Sequence, residues 1–184
     1  MTTDPLKESA LRPEQATSST TGPGNAASPA LYELVEQQPF FKGMPAGQLQ
    51  VLADSAMVMH FETGQAIFQQ GSPANRFYLI LEGQAVLEAE LPDQNPVIIQ
   101  TLGPGDDLGW SWLFPPYSIH LGARAVAPTK TIFFYGTRLR EQCEQDHELG
   151  YQIMRRIAEV TTRCLQNMQG RLMEYADPNK YTKR

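Results

Sequence analysis

Cysteine is scarce in this 184-residue chain. Cys143 and Cys164 are the two it has, both in a stretch with helical patterning and without a second ligand pair nearby. Neither a disulfide framework nor a structural zinc site is expected from them. Excess positive charge is missing too: 15 Lys and Arg face 20 Asp and Glu, for a formal charge of −5. That balance argues against a broad surface for phosphate backbones and against direct DNA binding. No apolar run approaches the roughly 20 residues needed to cross a bilayer, and the N-terminus lacks the basic stretch and apolar core of a secretory signal. No membrane association is expected, and a reducing, cytoplasmic setting is. His60, His120 and His147 are scattered over different segments with no partner at ligand spacing, so no metal site is expected. The length accommodates one ordinary domain with some chain to spare.

Residues 1–30 are rich in Ser, Thr, Pro, Gly and Ala and hold almost no large apolar side chain. Such a segment buries too little to offset the entropy of ordering, and a flexible tail is expected. From Leu31 the composition changes. Leu31, Leu34 and Val35 sit at helical spacing before Pro39, and Pro45 opens a second helix with Leu49, Leu52, Ala53 and Ala56 on one face. The pattern then switches to period two. Met57, Met59 and Phe61 alternate with Val58 and His60, and Ala85, Leu87 and Ala89 alternate with Gln84, Glu88 and Glu90. Phe77–Leu81 is a short, strongly β-favouring run, and further strands are expected at Val97–Leu102, Ile119–Val126 and Thr131–Tyr135. Glycines break these runs at turn-length intervals, which predicts an antiparallel roll or jelly roll of about eight strands.

After Gly136 the spacing is helical again. Thr137 is placed to cap a short helix, and a long one is expected from His147 to about residue 176, ended by Asp177-Pro178. About 29 residues would reach roughly 43 Å, more than a small roll needs for its own cover. Met154, Ile157, Thr161, Cys164 and Met168 fall on alternating steps of three and four, with Leu149, Ile153, Val160 and Leu165 beside them. A homodimer through this helix is expected. The fold class is thus α+β, mainly β: an eight-stranded antiparallel roll with flanking N-terminal helices and a long C-terminal helix. The expected divisions are a tail at 1–30, the roll domain at 31–146, the helix at 147–176 and a frayed end at 177–184.

Two motifs carry a resemblance. Gln70-Gly71-Ser72-Pro73-Ala74-Asn75-Arg76-Phe77-Tyr78-Leu79-Ile80-Leu81-Glu82-Gly83 and Leu102-Gly103-Pro104-Gly105-Asp106-Asp107-Leu108-Gly109 together resemble the cyclic nucleotide-binding domain family of the catabolite-activator and protein-kinase-regulatory type. The order of elements agrees over residues 31–175. The resemblance implies a non-catalytic regulatory module with a phosphate-binding cassette after Gly109. There, a glutamate directly after the glycine holds a ribose hydroxyl, and an arginine about ten residues on pairs with the cyclic phosphate. In this chain Trp110 stands at the glutamate position and Ile119 at the arginine position.

The candidate ligand residues are Leu108, Gly109, Trp110, Ser111, Trp112 and Arg124. Gly109 permits close backbone approach and the N–H groups after it can face an anion. Arg124 is the arginine available to replace the missing one, yet strand alternation places it opposite Ile119, Ala123 and Ala125. Cyclic AMP or GMP held in the usual way is therefore not expected. Two readings of the aromatic run Trp110–Tyr117 stand side by side. In one, the indoles stack on another nucleotide or flat small ligand; in the other, they fill the old cavity and leave an interaction scaffold for a protein partner. Asp106-Asp107 reads as turn chemistry, and Arg138, Arg140, Arg155 and Arg156 as a solvated, charge-laced helix surface. No enzyme is expected, since no nucleophile or activated base accompanies the carboxylates. Only nine residues follow Tyr175, too few for a helix-turn-helix output unit.

Overall fold

The computed structural model describes residues 29–91 and 95–176. The expected tail thus lies outside the described residues except for Pro29 and Ala30, which open the first helix, and the expected frayed end lies outside them as well. Helices α1 (Pro29–Glu36) and α2 (Ala46–Ser55) flank a 3₁₀ turn at Pro39–Phe41. Pro45 sits at the N-cap of α2, and its carbonyl accepts from the N–H groups of Gln48 and Leu49.

Eight strands follow: β1 (Ala56–Phe61), β2 (Ala66–Phe68), β3 (Arg76–Glu82), β4 (Ala85–Ala89), β5 (Val97–Leu102), β6 (Asp107–Leu108), β7 (Gly122–Ala125) and β8 (Thr129–Tyr135). They form two four-stranded antiparallel sheets, ordered β1-β8-β3-β6 and β2-β7-β4-β5. Helices α3 (Gly136–Gln145) and α4 (His147–Ala176) complete the chain. The α+β roll read from the sequence is the observed architecture.

Two cores lie on opposite faces of the first sheet. Tyr78, Ile80 and Phe133 point into the roll beside Phe61, Ile67, Leu108 and Ala123. Their neighbours Phe77, Leu79, Ile132 and Phe134 point the other way, under α2, α3 and α4. In register, Phe77 faces Phe134, Tyr78 faces Phe133 and Leu79 faces Ile132. A strand buried on both faces carries no polar alternation, which is why this segment reads as one continuous apolar run.

Three local features differ from the sequence reading. Helix α3 starts at Gly136 and not behind a Thr137 cap, because β8 runs directly into it with the Gly136 N–H held by the Asn75 carbonyl at 2.8 Å. The ladder of β7 starts at Gly122, since Ile119 pairs instead with the turn before β3: its N–H donates to Ser72 O and its carbonyl accepts from Gly71 N–H. On α4, Leu149, Ile153 and Ile157 are buried against the domain, whereas Tyr151, Met154 and Leu165 face outward. The face covering the roll thus includes Ile157 and excludes Met154.

Asp107, read as turn chemistry, lies in β6 with its Oδ2 buried and without a hydrogen-bond partner. Burial pushes its pKa up to about 6, opposed by Arg163 of α4 and reinforced by Asp106; the Cys164 thiol of α4 also faces it. A carboxyl whose folded pKa exceeds its unfolded value favours folding below the unfolded value and costs stability as pH rises through the folded one. Asp107→Asn should therefore raise stability at pH 7 by up to about 3 kcal/mol, about two pKa units. The gain should vanish near pH 4, and urea unfolding across that range measures it.

Candidate cassette site

The cassette begins where β6 leaves the sheet. Leu108, 1% exposed, anchors in the roll core, and Gly109 turns the chain with φ 81° and ψ 26°. A Cβ at this position would sit 2.7 Å from the Arg76 carbonyl oxygen, so both the left-handed backbone and the tight contact with β3 require glycine. Trp110–Trp112 then form a single 3₁₀ turn, closed by Leu113 N–H on the Trp110 carbonyl at 3.2 Å. Ser111 is half-buried on this turn.

The indoles do not enter the roll. Trp112 is fully buried in the core beneath the helices, its ring 6.3 Å from that of Phe77, and Trp110 packs on the edge of the same core. The ring that lies over the cassette glycine is Phe68 of β2, 3.5 Å from the place of a Gly109 Cβ and tilted on Tyr78 at 6.1 Å. Sequence reasoning missed Phe68. It belongs to a three-residue strand, too short to show a period.

Arg124 lies on the outer face of the second sheet. Its Nε donates to Glu88 Oε1 at 3.1 Å and its Nη2 pairs with Glu88 Oε2. Its strand neighbours Ala123 and Ala125 are buried in the roll. Glu88 holds the guanidinium protonated. Ile119, where the resemblance expects arginine, is 5% exposed and brings no charge. The structure thus groups Leu108 to Trp112 in one turn and leaves Arg124 apart from them, committed to a carboxylate.

Arg140 of α3 is also missed by the sequence reading, which placed it on a solvated surface. Its Nη1 donates to the Trp112 carbonyl, and its guanidinium lies 4.6 Å from the centre of the Tyr117 ring. Gly136 brings α3 in close, since a Cβ there would meet Trp112 Cβ at 2.6 Å. The cassette is therefore bound to the first residues after the roll. Among the described residues, no group of three or more His, Cys, Asp or Glu is placed to hold a metal ion, and no helix is long and apolar enough to cross a membrane. Burial and the nearby Asp146 and Glu144 push the Cys143 thiol up to about 11, so it is protonated at neutral pH.

The family model for the cyclic nucleotide-binding domain matches residues 58–146, from β1 to the end of α3. A solved structure from Geobacter metallireducens, assigned to the cyclic nucleotide-binding proteins, is 31% identical with a TM-score of 0.65, over 72% of this chain and 96% of that one. This chain belongs to the cyclic nucleotide-binding domain family. Among curated proteins it is similar to a CRP-like cAMP-activated global transcriptional regulator of Mycobacterium tuberculosis, 22% identical over 136 residues, 74% of this chain and 61% of the regulator. A cAMP-dependent protein kinase regulatory subunit of Schizosaccharomyces pombe is 34% identical over 80 residues, 43% of this chain and 18% of the subunit. This cyclic nucleotide-binding domain chain thus spans about three fifths of the regulator's length.

Removing the clamp tests the link between cassette and helix. Arg140→Ala should cost about 1 to 3 kcal/mol in urea unfolding, the range for a lost charged hydrogen bond with a cation–π contact. It should also speed amide exchange at Leu113 and Tyr117 while leaving β4 and β5 unchanged.

Proposed function

We propose that this protein is a non-catalytic regulatory domain whose cassette does not hold cyclic AMP or GMP in the usual way. The carrying observation is the pair of positions that should meet the cyclic phosphate. Ile119 is buried and neutral, and Arg124 is turned outward to Glu88. A phosphate brought to the Gly109–Trp112 turn would meet backbone N–H groups without a guanidinium from position 119 or 124, losing an interaction worth about 1.5 to 3 kcal/mol. The ligand class that fits this reading is another nucleotide or a flat small molecule needing no arginine. The Arg140 link supports transmission to α3 and α4, since a ligand preferring one cassette position would bias the helices that follow. The packing of Trp112 in the helix-side core and the cover of Phe68 over Gly109 favour a second reading, a scaffold domain that recognises a protein partner without a small ligand.

Calorimetric titration with cyclic AMP, cyclic GMP and cyclic dinucleotides, followed also by tryptophan fluorescence, separates these readings. Wild-type protein should bind cyclic AMP weakly or not at all, and Ile119→Arg should tighten it by about tenfold or more, the return of one charge-assisted hydrogen bond. Tight, saturable cyclic AMP binding by the wild type would overturn the proposal. No response to any of the nucleotides favours the scaffold.

The same proposal includes a homodimer through α4 and a cytoplasmic setting. At 30 residues, α4 exposes Tyr151 (62%), Met154 (52%), Leu165 (56%) and Met173 (75%) along its length, an apolar series suited to a second copy of the helix. Light scattering after size exclusion should give a dimer for the wild type and a shift toward monomer for Leu165→Glu.

A further inference from the structure

A groove of about 730 Å³ runs between the Pro39–Phe41 turn, the Gly105–Asp107 segment and α4, on the side of the first sheet away from the roll interior. Its volume is within the range of small-molecule sites. Gly105 and Pro39 close one wall, with Pro39 Cγ 3.2 Å from the place of a Gly105 Cβ. Four cations line it, Lys42, Arg155, Arg156 and Arg163, against the two carboxylates of Asp107 and Glu159. This excess of two positive charges stands out in a chain whose formal charge is −5.

Two buried groups in the groove are incompletely served by the protein. Arg156 is 7% exposed, and its guanidinium donates to Gln152 O at 3.1 Å, Gln152 Oε1 at 2.6 Å and Lys42 O at 2.8 Å. Those acceptors are all neutral, and among the described residues no carboxylate lies within ion-pair distance of it. Asp107 Oδ2 is buried with no donor. A buried cation with no direct ion pair, its nearest opposing charge being Glu159 one turn on along α4, and a buried acceptor without a donor each cost free energy. One ligand that brings an anionic group to Arg156 and Arg163, and a hydroxyl to Asp107, satisfies both.

We infer that this groove is a second ligand site, separate from the cassette, that takes a small phosphate monoester bearing hydroxyl groups, of the sugar-phosphate class. The choice of a monoester follows from charge: it carries about −1.5 to −2 at neutral pH, matching the excess of two on the groove. Arg163 and Arg155 bind the phosphate oxygens from the rim, Arg156 supplies the buried charge, and Asp107 accepts from the sugar. Because the groove lies against α4, occupancy fastens the middle of that helix to the Pro39–Phe41 turn.

Ribose 5-phosphate, ribose and inorganic phosphate serve as probes, titrated into the full chain by calorimetry and amide chemical-shift mapping. Ribose 5-phosphate should bind saturably, inorganic phosphate more weakly and ribose not at all, with shifts centred on Gly105 and Val160. Arg163→Ala and Arg155→Ala, both on the surface of α4, should each weaken it about tenfold, one charge-assisted contact apiece. Lys130→Ala, at a residue outside the groove lining and ion-paired with Glu82 at 3.3 Å, should leave it unchanged, and thermal melts confirm that each variant is folded. No saturation by ribose 5-phosphate, equal affinity in the arginine variants, or shifts confined to Gly109 and Ile119 would each overturn the inference.

Discussion

The structure depends on a strand pair that is dry on both sides. β3 and β8 lie side by side in the middle of the first sheet, and their side chains alternate between two cores: Tyr78, Ile80 and Phe133 in the roll, Phe77, Leu79, Ile132 and Phe134 under the helices. Neither core closes without that wall. Phe41 meets Phe134 edge-on at 5.7 Å and Phe40 meets Phe77 at 5.0 Å, so the N-terminal turn is seated on the same rings that the C-terminal helices cover. Burying large aromatics on two faces removes far more apolar area from water than a half-solvated strand of the same length.

The wall also sets where the cassette residues go. β6 pairs with β3 at the sheet edge, Tyr78 opposite Leu108, so the chain leaves the sheet at Gly109 free to turn to either side. It turns toward the helices. Trp112 packs on Phe77, and Arg140 and Gly136 of α3 meet the turn from the other side. The cassette is therefore built jointly by the roll and by the element that follows it, the arrangement a regulatory domain needs if occupancy is to be felt in its C-terminal helices. The groove along α4 extends the same logic to the middle of the long helix.

Much of this was legible from patterning. Six of the eight strands, among them the runs around Phe77–Leu81 and Thr131–Tyr135, the long helix and the outward direction of Arg124 follow from period and turn residues, because each depends on neighbours close in sequence; β2 and β6, of three and two residues, are too short to show a period. Gly109 was legible as the last glycine of the Leu102–Gly109 motif that carries the resemblance. The parts that stayed hidden are long-range. Arg140 reads as one more charged helix residue until α3 is placed beside Trp112, 28 positions earlier. Arg156 reads as solvated until Lys42, 114 positions away, presents its carbonyl. Asp107 reads as a turn residue until α4 covers it.

Residue types and spacing alone carry the class of fold and the family resemblance, and they put Trp110 and Ile119 where that resemblance expects glutamate and arginine. These are statements about residue type and spacing, which local backbone preferences and alternation translate directly. Which core receives the tryptophans, the cover of Phe68 over Gly109 and the groove shared by Arg156 and Asp107 follow from tertiary packing. Those outcomes rest on which of two faces an element presents and on what distant segment meets it there, and a period along the chain carries neither.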